Sequence, residues 1–426
     1  MESSAQGTTE NDAAGQDRVA GDDSDFEVFD DAVAGDSRDP YPELAAARKA
    51  TPVQRLDMSN MPHDEAKPVF FVYRYDDVLT VLRDGETYSS GQIIELIMGD
   101  VMGRHIMLGM DDPDHRRYRA LVSTAFGQKA IARWESQLVE PIASSLIDGF
   151  AGRGHAELVR EFTFPYPTQV IAGMLGLPRA DYQRFQRWSI AILSVFTRRE
   201  AAIAASEQVK DYLALILDDR RREPRDDLIS DLAQAELDGE RLSDEEIFSF
   251  LRLLLPAGVE TTYRSTGNLL FSLLSRPGQL EAVRTDRSLI PQAIEEAVRY
   301  EAPLLNITRL ATRDTVLGGV PIPAGSTVMT MLAAANRDES RWNDPDHYDI
   351  FRAARPSVAW GQGPHICLGM HLARVEMRVA LNLLLDRLSG LRFDPDGDDP
   401  HIRGQVFRSP TSLPVLFVPQ GGHRDD

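Results

Sequence analysis

Over most of its length this chain repeats its apolar positions with the helical period of about 3.6 residues. The clearest run opens at Ser243, with Glu246 three residues on, the signature of a capped helix start. It continues through Ile247, Phe248, Phe250, Leu251, Leu253, Leu254 and Leu255 to Leu274, and Arg276-Pro277-Gly278 ends it. About thirty residues at ~1.5 Å each predict a helix of about 45 Å. Being apolar on nearly all faces, it belongs in the interior. Shorter helices are expected over Glu43–Lys49 and Asp76–Leu82. A last long one begins beside Cys367, with Leu368, Leu372, Val375 and Val379 on one face, and ends at Gly390. Between Thr308 and Thr330 the pattern shortens to strands: Val316-Leu317, a Gly318-Gly319 turn, Val320–Ile322, and Ser326–Met331. Val69–Tyr73 reads as another. From Tyr88 to Met110, Gly91, Gly99, Gly103 and Gly109 interrupt an apolar, Met-rich stretch, which predicts a flexible loop walling a pocket. The expected fold class is mainly α with small β-sheets, without internal repeats.

Charge sharpens the boundaries. The net charge is −20, and residues 1–40 carry twelve acidic and two basic side chains, so half the excess lies there. Residues 1–38 are expected to be a disordered acidic tail and 39–420 a single domain. Such a balance argues against nucleic acid, whose phosphates need clustered Lys and Arg. No apolar run reaches the roughly eighteen residues of a membrane span, and the polar N-terminus does not read as a secretory signal. The chain has one cysteine, so no intramolecular disulfide can form and multi-cysteine metal motifs are excluded. A cytoplasmic location is the expectation.

The candidate chemistry therefore concentrates on Trp360-Gly361-Gln362-Gly363-Pro364-His365-Ile366-Cys367-Leu368-Gly369. A helix start beside a cysteine favours its thiolate, and glycines let backbone turn tightly and approach a flat ligand. The spacing Gly-x-Gly-x-His-x-Cys-x-Gly would arise by chance on the order of 10⁻⁴ times in such a chain. Inside the long helix stands Ala257-Gly258-Val259-Glu260-Thr261-Thr262, where a carboxylate and hydroxyls are costly in an apolar setting unless bonded or used. Pro256 just before it removes one helix hydrogen bond and predicts a kink. Glu296-Ala297-Val298-Arg299 offers an i,i+3 ion pair. In Asp112–Arg119, His115 and Arg119 share a helix face.

The cysteine segment resembles the ligand loop of cytochromes P450, and the three other stretches match that family in order, from about Asp39 to Phe417. The resemblance implies a triangular helical domain around a buried haem b, with Cys367 as axial thiolate. It implies that His115, Arg119, Arg309 and His365 bind the propionates. Glu260 and Thr261 become the acid–alcohol pair that delivers protons, and Gly258 makes room for dioxygen. Glu296 and Arg299 form a structural lock with Arg352. Ala257, Leu304, Leu305 and Ile307 are expected in the substrate pocket, with Tyr88–Met110, Gln183–Ile203 and Val406–Leu413 contributing specificity. Trp360 stands where the family usually has Phe, bringing an indole N–H near the sulfur, and Ser357 where many bacterial members have His.

The implied reaction is insertion of one oxygen atom of O2 into an apolar or amphipathic small molecule. Electrons would come from a separate ferredoxin or flavodoxin-like donor with its NAD(P)H reductase, docked near Arg116, Arg117 and Arg355. Two other readings stand beside it: a P450-fold peroxygenase or isomerase, and a haem-binding module without catalysis.

Overall fold

The computed structural model describes residues 37–56, 67–196 and 198–419. The expected acidic tail lies outside these except for Ser37 and Arg38, whose carbonyls each accept a hydrogen bond from Arg408 at 2.8 Å.

The Ser243 capping box forms as the spacing predicts: Glu246 N–H donates to Ser243 Oγ, and Ser243 N–H to Glu246 Oε2 at 2.8 Å. The helix it starts runs Asp244–Leu274 without interruption through Pro256. Twenty-four of its 31 residues are buried. Packed around it are helices Pro165–Met174, Ile290–Tyr300 and Met370–Arg387. One large apolar cluster fills the spaces between them.

Five strands form a sheet at one side: β1 (Val53–Leu56), β2 (Val69–Val72), β3 (Tyr88–Ser89), β4 (Asn306–Ala311) and β5 (Thr327–Met331). Their spatial order is β1-β2-β5-β4-β3, antiparallel except for β2 beside β5. A second core cluster, including Phe70, Val72, Val78 and Val328, lies against this sheet. The expected Gly-Gly hairpin joins Thr315–Leu317 to Val320–Ile322, with φ +57° at Gly318 and +82° at Gly319, values that suit glycine. A two-stranded pair, β6 (Ile402–Arg403) and β7 (Ser409–Pro410), packs on the long helix.

One expectation fails. Tyr88–Met110 is not a loop: β3 is followed by α1 (Gly91–Met102) and a short turn at Met107–Gly109. Val101 and Met102 are fully buried, and α1 packs on β4 and on the long helix. Glycines at both ends delimit the helix instead of dissolving it. Among the described residues, no helix is long and apolar enough to cross a membrane.

Candidate active site

Five elements carry the candidate residues: α2 (Asp114–Thr124), α3 (Asp244–Leu274), α4 (Ile290–Tyr300), β4, and the turn leading into α5 (Met370–Arg387). Gly361 and Gly363 bend that turn with φ near +70°. A Cβ on Gly363 would stand 2.4 Å from the Leu82 carbonyl oxygen, so only glycine fits there. The Cys367 N–H closes the turn on Trp360 O at 2.8 Å, and Cys367 is exposed. Burial pushes its thiol up, while the N–H groups of Gly369 and Met370 and the charges of Arg119 and Arg374 pull it down.

Beside the sulfur, basic groups converge. His115 is 2% exposed; its ring lies 4.0 Å from that of His365, and its Nε2 is buried without a hydrogen-bond partner. Arg119 Nη2 donates to Ile366 O at 2.6 Å. Arg309, 6% exposed, donates Nη1 to the Thr308 carbonyl. Burial lowers Arg309 to about 10, with Asp111 opposing. His365 is pushed down to about 3 by burial and by the nearby positive charges of His115, Arg309 and Arg119. Four basic side chains converge here, His115 and Arg309 buried and Arg119 and His365 partly so, with the two imidazoles held toward their neutral forms and His115 Nε2 orphaned. A dianionic ligand edge would pair these groups through charge-assisted hydrogen bonds, so the donor set fits the two carboxylates of a haem.

Along α3, burial breaks in the middle. Leu255 and Val259 are fully buried, yet Ala257 is exposed and Pro256, Gly258 and Thr261 are only partly covered. The Thr261 hydroxyl donates to Ala257 O at 2.9 Å, leaving its lone pairs to accept. Glu260 turns into the protein and pairs with Arg264 at 2.6 Å. A Cβ on Gly258 would meet Ile171 Cδ1 at 2.9 Å, so the bare position also lets the Ile171 helix approach. Leu304 bridges to Phe407 and Ile307 is partly exposed. Leu305, also expected in the pocket, is buried instead with Tyr41 and Ala333.

Glu296 accepts Arg299 Nε and Nη2 at 2.7 and 2.8 Å and Arg352 Nε at 3.1 Å. Arg299 further donates to the carbonyls of Asn336, Pro345 and His347. The three residues thus meet as the sequence suggested. The Trp360 Nε1 donates to Glu295 Oε2 at 3.4 Å, and Arg374 lies 5.0 Å from its ring. Arg374 also pairs with Glu295 at 2.7 Å. Arg264 and Arg374 escaped the sequence reading. The Glu260/Arg264 spacing of four was a visible signal for the first, whereas nothing local marked the second.

A cytochrome P450 family model matches residues 180–416. The chain is 38% identical over 406 residues to Cytochrome P450 107B1 of Saccharopolyspora erythraea, covering 92% of this chain and 97% of that one. It is 37% identical to mycinamicin IV hydroxylase/epoxidase of Micromonospora griseorubida, over 88% and 94% of the two chains. The crystal structure of CYP109E1 from Bacillus megaterium in complex with testosterone superposes with a TM-score of 0.80 at 30% identity, covering 89% and 99%.

Proposed function

The chain belongs to the cytochrome P450 family, and from that premise we propose which of its residues perform the work of a haem monooxygenase. The family's cofactor is haem b held by a cysteine thiolate, and Cys367 is the only cysteine present. When bound, that group supplies activation of dioxygen for transfer of one oxygen atom to substrate.

His115, Arg119, Arg309 and His365 hold the propionates; the convergence of these four basic groups beside an exposed cysteine carries the assignment. Glu296, Arg299 and Arg352 fix the segment before the cysteine turn. Ala257 leaves an opening in the long helix, and the Thr261 hydroxyl beside it passes protons inward with Glu260 as the acid. Leu304 and Ile307 line the substrate side. The substrate is an apolar or amphipathic small molecule, the kind of compound named for two similar proteins, testosterone and mycinamicin IV.

Electrons come from a separate donor, for which we favour a ferredoxin or flavodoxin-like protein with its NAD(P)H reductase. Arg116 and Arg117 offer less free charge than the sequence suggested, being paired with Asp112 at 2.7 Å and Glu246 at 2.6 Å. Arg355, bound to the Arg341 carbonyl, lines a neighbouring cleft of about 800 Å³ in which Arg374 and Arg378 are paired with Glu295 and Glu135, so Arg355 carries most of the charge we assign to docking. The single cysteine suits the reducing cytoplasm.

The test is Thr261→Ala, reconstituted with a ferredoxin or flavodoxin donor and screened on testosterone and mycinamicin IV. The variant should release a larger share of NADPH electrons as hydrogen peroxide. Undiminished coupled turnover would overturn the assignment. Failure of both donor classes to reduce the parent would overturn the partner reading.

A further inference from the structure

Glu260 and Arg264 stand one turn apart on α3, and both lie in the interior, 1% and 0% exposed. Arg264 Nε donates to Glu260 Oε1 at 2.6 Å, and Nη2 lies 2.6 Å from the same oxygen. Its remaining nitrogen, Nη1, donates to Ser409 Oγ on β7 at 2.7 Å. The guanidinium also lies 5.7 Å from the Phe407 ring. A turn further on, Asn268 Nδ2 donates to the carbonyls of Glu301 and Arg408, each at 3.0 Å. Gly267 beside it admits Pro410, whose ring atoms would be 3.3 Å from a Cβ. This face of α3 is fastened to residues 407–410. The same segment holds the substrate side: Phe407 bridges to Leu304, and Leu305 N–H donates to Val406 O at 2.9 Å.

Stability alone is a poor reason for such a pair. Buried ion pairs replaced by apolar side chains of similar volume are often neutral or better, because two charges must be stripped of water. What the pair does accomplish is geometric. Two guanidinium nitrogens hold one carboxylate oxygen in place, and the third nitrogen ties that position to a strand across the interface.

We propose that Arg264 is a positioning residue that clamps the Glu260 carboxylate to Ser409, setting the proton-delivering acid in register with the substrate-side segment 406–410. The proposal rests on the assignment of Glu260 and Thr261 to proton delivery. Glu260 rests as an anion turned toward β7 and takes up a proton from water before passing it on, while Thr261 on the adjacent face meets the open side. A substrate that displaces Phe407 or Leu304 shifts Ser409, and through Arg264 it shifts the acid.

The experiment compares four variants as holoproteins. Ser409→Ala removes the anchor and leaves the ion pair. Arg264→Lys keeps the charge but cannot span Glu260 and Ser409. Arg264→Met removes the charge, and Glu260→Gln is the reference. Each is first checked for the reduced carbon monoxide band, so that failure of the haem–thiolate assignment is recognised separately. Infrared difference spectra of each protein against its Glu260→Gln counterpart then read the carboxyl at position 260 without turnover. It should be ionised in the parent and in Ser409→Ala, and protonated in Arg264→Met at neutral pH.

Proton delivery by a placed side chain is worth about 10²–10⁴-fold. Ser409→Ala and Arg264→Lys should therefore raise peroxide released per NADPH by about tenfold and increase the solvent deuterium isotope effect. A carboxyl that stays ionised in Arg264→Met overturns the clamp. So does Ser409→Ala with the parent's peroxide yield and isotope effect, and that variant decides the matter if Arg264→Met does not fold.

Discussion

Arg299 and Arg309 are both buried arginines, 3% and 6% exposed, and they meet opposite surroundings. Arg299 faces Glu296 with two nitrogens and spreads its donors over three backbone carbonyls. Arg352 closes the same carboxylate from the other side and is itself bound to the carbonyls of Asp344 and His347. Arg309 has a single neighbouring carbonyl as its hydrogen-bonded acceptor and sits among His115, Arg119 and His365, all basic. A buried charge is tolerable when paired and hydrogen-bonded. The first network meets that condition with a shared carboxylate; the second has only the counter-charge of Asp111 on Arg309 and Asp112 3.7 Å from His115, and an added anion would complete it. The lock belongs to the fold and the cation cluster to the ligand.

Breaking the lock should have the largest effect. Glu296→Gln leaves buried Arg299 and partly buried Arg352 without their carboxylate, a loss of about 3–5 kcal/mol by the usual cost of stranding one partner. Chemical denaturation should show that loss in protein with and without haem alike. Equal stability of variant and parent would place the lock among incidental contacts.

Arg309→Met should behave differently. It removes a cation whose burial is only partly offset by Asp111, so the haem-free protein should be as stable as the parent or more so. Haem affinity should fall by the ~1.5–3 kcal/mol of a charge-assisted hydrogen bond. Haem transfer to an acceptor protein measures the affinity. A variant that destabilises the haem-free protein while retaining haem would erase the distinction between the two networks.

Glu376 shows a third solution, with an effect spread over pH. It is 1% exposed on α5, Oε2 has no hydrogen-bond partner, and burial raises its pKa to about 8. This site avoids a buried charge by keeping its proton. Because the folded state binds that proton more tightly than the unfolded chain, its stability contribution is full below about pH 4.5 and fades as pH rises toward about 8. The slope in that window is about 1.4 kcal/mol per pH unit for one proton. Glu376→Gln should flatten it in denaturation curves collected across the window; an unchanged slope would assign the pH dependence to other groups.

Much of this was legible in the chain. The Ser243/Glu246 box and an unbroken apolar run determine α3, because local capping and burial agree there. The cysteine turn was readable because Gly361 and Gly363 hold positive φ and Gly363 abuts backbone, constraints that few residues satisfy. The Glu296–Arg299–Arg352 lock needed the family resemblance to bring in Arg352, since an i,i+3 pair alone is common. Elsewhere tertiary contacts overrode local pattern. Gly91–Met102 folds as a helix because it packs on β4 and α3, despite its glycines. Gly258 packs on Ile171, Leu305 on Tyr41 and Ala333, and Trp360 turns its N–H to Glu295. Each of these depends on a partner distant in sequence, which no local spacing discloses.

The most direct measurement is the absorption spectrum of the reduced, carbon monoxide-bound protein, with Cys367→Ala beside it. A red-shifted Soret band in the parent and its loss in the variant is the predicted result, and it places the thiolate of Cys367 on the haem iron. A parent that binds no haem, or binds it without that band, would contradict the account.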